Sequence, residues 1–156
     1  MYPWFVGLHL LGLVVFLASH GVSMMVAFRI RGERDRAVIR SMLGMSAVAS
    51  RLLYAGLLAL GVGGLGAATT AGLLTASWVV ASYVVLAVVL LAMYGIAAPY
   101  YFGLRDALEG TGKEARLDDE ALAARLRTRR PETLAAIGGS GLVTLVLLMV
   151  LRPALW

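Results

Sequence analysis

Both histidines of the chain fall in one apolar run, "HLLGLVVFLASHG", residues 9 to 21. At 100° per residue, His9 and His20 lie only about 20° apart around a helix axis and ~16 Å apart along it. They therefore share a stripe, with Gly12 and Phe16 close to it. An imidazole within an apolar helix is costly unless it faces protein or a cavity, which marks both residues as candidates for function. Four uses compete: haem axial ligation, a proton path, a metal site, or interhelical hydrogen bonds. A dedicated metal site is poorly served, because the chain has no cysteine and no third histidine, and its apolar blocks hold no carboxylate. The same lack of Asp and Glu weakens a proton relay. Haem b needs only one or two axial ligands, and the interior of a helix bundle commonly supplies them.

Geometry limits the haem reading. His9 and His20 are too far apart on one face to hold the same iron, so each serves a separate haem or only one is a ligand. A second ligand must come from another helix, another chain or a methionine such as Met45 or Met93. Arg29, Arg40 and Arg51 are cationic candidates for haem propionates. For Arg51, the competing role is snorkelling to lipid headgroups.

These residues need elements to hold them, and composition names the elements. Of the 156 residues, 60% are hydrophobic and 15% charged, unlike a soluble domain. Residues 4–28, 46–72, 77–99 and 133–151 form apolar blocks of about 19 or more, enough for a helix to cross a ~30 Å hydrocarbon core. Backbone groups in lipid must be satisfied within the segment, so the spans must be helical. The expectation is an all-α membrane protein, a single four-helix transmembrane bundle over residues 1–156. The first block lacks a basic leader and a small-residue cleavage site, so it reads as a retained helix.

Charge sets the orientation. The first connection carries Arg29, Arg31, Arg34, Arg36 and Arg40, and the third, residues 105–132, holds seven basic residues. The second, "TTAGLLTAS", has none. Lys and Arg accumulate on the cytoplasmic side, which predicts two basic cytoplasmic connections, both termini outside, and a multi-pass protein of the inner membrane. Only Arg152 falls on the outer side. The net charge of +5 is a topology signal rather than a nucleic-acid footprint, since no recognition pattern accompanies the arginines. Trp4, Trp78, Trp156, Tyr54, Tyr100 and Tyr101 sit near span ends and read as interfacial anchors.

Two further segments carry local signals. "LDDEALAARLRTRR" runs from acidic to basic, as a short helix dipole favours, and Leu122 and Leu126 share a face. It reads as a short amphipathic helix or, equally, a solvated linker. "GLLALGVGGLGAATTAG" concentrates glycine in the second span, where small residues permit close helix packing or let a flat cofactor lie against backbone.

The strings "LHLLGLVVFLASHG", "SRLLYAGLLALGVGGLG" and "YFGLRDAL" resemble the four-helix membrane proteins of the copper-resistance protein D superfamily. That group includes a domain family of unknown function and the HemJ-type protoporphyrinogen oxidases. The resemblance covers roughly residues 5 to 108. It aligns His9, Leu10 and Leu11 with the family's first-helix step and Arg51 with an arginine heading its second helix. It implies haem b ligation for His9 alone. The HemJ-type lysine has no counterpart here except Lys113 in the long connection, which disfavours that oxidase activity. The expected function is a haem b-binding membrane subunit, non-catalytic in itself, for electron transfer or anchoring within a larger redox complex. Its partners would be the bilayer, other subunits or further copies, and a quinone or cytochrome. A cofactor-free structural subunit is the alternative, with copper handling behind it.

Overall fold

The computed structural model describes residues 1–110 and 117–154, and every regular element among them is helical. Helix α1 spans Tyr2–Arg29 and runs into a 3₁₀ turn at Ile30–Gly32. Helix α2, Arg36–Thr70, starts where the Asp35 carboxylate accepts from the Ala37 N–H at 2.8 Å, capping an otherwise orphaned donor. Helix α3 is Ser77–Glu109 and closes on Gly110, whose φ of 69° gives the left-handed end that glycine adopts freely. Helix α4, Asp119–Leu126, is capped by Asp118, and α5, Arg130–Leu151, has Pro131 in its first turn. Four of these, α1, α2, α3 and α5, are long and apolar enough to cross a membrane, as the apolar blocks predict.

The helices form two pairs. α1 packs along α2 and α3 along α5, while contacts between the pairs are sparse. Glycine makes the first pairing close. A Cβ on Gly56 would stand 2.7 Å from the Phe16 backbone nitrogen and 3.0 Å from the Gly12 carbonyl oxygen, and one on Gly63 would stand 2.8 Å from His9 Cα. Only backbone hydrogens fit there, which is how small residues drive association where lipid supplies no hydrophobic force. Gly12 thus faces α2 at the crossing and not the stripe shared by the histidines.

Helices α2 and α3 are longer than expected from their apolar blocks. α2 begins ten residues before position 46 and α3 continues ten residues past position 99, so each measures about 50 Å against a ~30 Å hydrocarbon core. Their excess lies at the basic end and builds a small cap. Val26 and Ile30 meet Ile39 and Leu43 of α2, Tyr100, Leu104 and Leu108 of α3, and Leu122 and Leu126 of α4 in one buried cluster. The segment at 118–126 is therefore a helix with its leucines in this core, not a solvated linker. Tyr100, expected at an interface, is 1% exposed inside the cap. Ion pairs ring the cluster: Arg31 with Glu132, Arg36 Nε with Asp119 at 2.7 Å, and Arg40 Nε with Glu109 at 3.9 Å. Arg36 also donates to the Leu117 carbonyl at 2.5 Å, tying the arrival of α4 to the start of α2. Lys113 and Trp156 lie outside the described residues.

Candidate functional site: a cavity between the helix pairs

Because the two pairs touch only sparingly, they leave a cavity of about 240 Å³ at the end of the bundle opposite the cap. His9 lines it from α1, Gly61 and Gly64 from α2, Trp78 and Tyr83 from α3, and Arg152 from the end of α5. The remaining walls are largely aliphatic.

His9 is the best-held group. Its Nδ1 lies 2.8 Å from the Leu60 carbonyl oxygen. A carbonyl only accepts, so Nδ1 carries a proton, and in the neutral ring Nε2 then keeps its lone pair. The imidazole rests in a notch of α2: a Cβ on Gly64 would stand 2.9 Å from Nδ1 and 3.7 Å from the Tyr83 hydroxyl oxygen. The glycine-rich span therefore divides into two faces. Gly56 and Gly63 meet α1, and Gly61 and Gly64 meet the cavity, where a Cβ on Gly61 would find no atom within 4 Å. The result is a smooth backbone wall beside an imidazole whose second nitrogen is free to ligate.

His20 occupies a different place. Its ring stacks parallel to that of Phe16, with centroids 6.0 Å apart. Its Nε2 faces α5, 3.2 Å from where a Cβ of Gly138 would be, and Met93 Sδ stands 3.4 Å from the same point. Phe16 lines the His9 cavity; His20 does not. The two imidazoles of the expected stripe thus meet separate surroundings, His9 against α2 and the cavity, His20 against α5 and Met93.

The arginines expected near a cofactor are elsewhere. Arg29 lies 4.0 Å from Glu33 at the basic end. Arg51 is exposed on α2, and neither it nor Arg29 or Arg40 lines the cavity. Arg152, read only as an outlying charge, does line it. Its guanidinium sits 5.5 Å from the Trp78 ring centroid, within the range of a cation–π contact. Met45 is exposed, Met93 belongs with His20, and the methionine that lines the His9 cavity is Met149. Both missed residues sit near the end of α5, Met149 inside the last apolar block and Arg152 just beyond it. Among the described residues, no three His, Cys, Asp or Glu side chains cluster as a metal-ion site would need.

Comparison with known proteins adds no family to this description: no family model, curated protein or solved structure matches the chain.

Proposed function

We propose that this chain is a multi-pass protein of the inner membrane, basic cap in the cytoplasm, that binds haem b at His9 as an electron-transfer or anchoring subunit. The observation that carries the reading is the bond from His9 Nδ1 to the Leu60 carbonyl. Metal-bound histidines almost always donate their other ring N–H to a carbonyl or carboxylate, which fixes the tautomer and raises ligand basicity. The resemblance of the first helix to haem-binding members of the copper-resistance protein D superfamily points to the same residue.

The donor chemistry of the cavity fits this group. His9 would hold the iron through Nε2, Gly61 and Gly64 would give a flat wall, and Met149 offers a thioether from α5. Bound haem supplies one-electron redox chemistry, and the chain's part is to ligate it and keep water out. At about 240 Å³ the cavity is smaller than the ~300–1,000 Å³ usual for small-molecule sites. Haem binding would therefore need the cavity end of the α3–α5 pair to move away from α1–α2.

The absorption spectrum of the protein purified from haem-replete cells tests this directly. A Soret band with a reducible α-band is expected, and a colourless preparation contradicts it. The small cavity favours one second reading, a cofactor-free subunit in which His9 serves packing alone. On that reading His9→Ala weakens assembly and leaves every spectrum unchanged.

A further inference from the structure

The electrostatics of the cavity mouth point to a specific feature of its ligand. Every Asp and Glu in the sequence lies within residues 33–35 or 106–132, that is, in the connections at the basic end. The other end of the bundle has no carboxylate side chain. Among the side chains lining the cavity that His9 lines, Arg152 is the one Lys, Arg, Asp or Glu.

Its position is built rather than incidental. Arg152 has φ 48° and ψ 52°, a left-handed conformation unusual for a residue with a side chain. The next residue is pinned, since the Pro153 carbonyl accepts from Ser77 Oγ at 3.1 Å. The guanidinium is steered by the Trp78 ring and by Nε donating to the Met149 carbonyl at 3.4 Å. Among the described residues, no Asp or Glu pairs with its terminal Nη groups. At the basic end, by contrast, Arg29, Arg31, Arg36 and Arg40 each have an acidic partner.

We propose that Arg152 is the carboxylate anchor of this cavity, holding a ligand's acidic group at the mouth while its apolar body extends toward His9. A guanidinium fork matches a carboxylate in two parallel hydrogen bonds, and such charge-assisted pairs are the strong ones. The inference rests on the haem reading for the ligand's identity, because haem b carries two propionates. It sets their direction: toward Arg152 and away from Arg29, Arg40 and Arg51, the cationic candidates of the sequence.

The test compares haem b with its dimethyl ester, in which both carboxylates are capped. Each is titrated into detergent-purified protein and followed at the Soret band. Wild type is expected to bind the acid about tenfold or more tightly than the ester. Arg152→Gln removes that preference, Arg152→Lys restores part of it, and Arg51→Gln leaves it intact. A fluorescent polyene fatty acid and its methyl ester provide a probe independent of haem. Equal binding of acid and ester by wild type overturns the anchor while sparing the haem reading. If neither porphyrin binds but the fatty acid shows an Arg152-dependent preference, the anchor stands and the haem reading falls. Absence of any acid preference with either probe overturns the anchor outright, as does a preference untouched by Arg152→Gln.

Discussion

His9 Nδ1 donates to the carbonyl oxygen of Leu60, 2.8 Å away and 51 residues distant in the chain. The bond crosses from α1 to α2 at the point where glycine allows their backbones to approach. It does two things at once, fixing the imidazole tautomer and fastening the first helix pair beside the cavity.

That close approach should tolerate no side chain. Gly56→Val places carbon against the backbones of Phe16 and Gly12, and overpacking of this kind costs about 1–3 kcal/mol or more. Gly44→Ala, on the same helix with open space around it, should be neutral or stabilise by about 0.5–1 kcal/mol. Thermal unfolding in detergent of the two variants checks the contrast.

Gly61 should behave differently from Gly56, although both belong to the same glycine-rich span. A side chain at 61 meets nothing within 4 Å and projects from a residue lining the cavity. Gly61→Leu is expected to keep the fold and the melting temperature while abolishing haem uptake. Retained uptake, measured by Soret titration, would place the ligand elsewhere.

The cap should respond as a soluble core does. Leu126 is fully buried there and joins α4 to α2 and α3. Leu126→Ala is expected to cost about 2–5 kcal/mol locally, releasing α4 to proteases while the spans remain protected. Limited proteolysis, with hydrogen exchange over residues 118–130, distinguishes local release from global unfolding.

Acid should loosen the turn between α1 and α2. Backbone N–H groups of Arg34 and Asp35 bond to the Glu33 carboxylate at 2.9 and 3.1 Å, and they hold its pKa below the ordinary glutamate value. A carboxyl with a depressed folded pKa stabilises above its unfolded pKa, ~4.3, and loses that contribution as pH falls through the folded one. Exchange of the Arg34 and Asp35 amides should therefore accelerate, relative to the intrinsic rate, as pH falls below about 4. Glu33→Gln should flatten this dependence.

The spans were legible because lipid imposes one rule, an uninterrupted apolar helix, and the four blocks obey it. The cap was not, because judging helix length by bilayer thickness ends α2 and α3 at the hydrocarbon edge. Its signal lay in Ile39 and Leu43, then Leu104 and Leu108, each pair four residues apart within charged sequence. The common stripe of His9 and His20 followed from helical period alone. Which neighbour each imidazole meets depends on how α1 sits against α2 and α5, which no local pattern encodes. Arg152 was hidden for the same reason: a single charge beyond the last span acquires meaning only when Trp78 and the cavity are placed beside it.

We propose that His9 Nε2 ligates haem iron in the cavity between the helix pairs. His9→Gly removes the proposed ligand and leaves room for a free imidazole in its notch. Titrating haem b into this variant with and without imidazole is the most direct measurement. Wild type should show a low-spin Soret band, His9→Gly should lose it, and added imidazole should bring it back. A Soret band unchanged by His9→Gly, or no haem binding by wild type, would contradict this ligation.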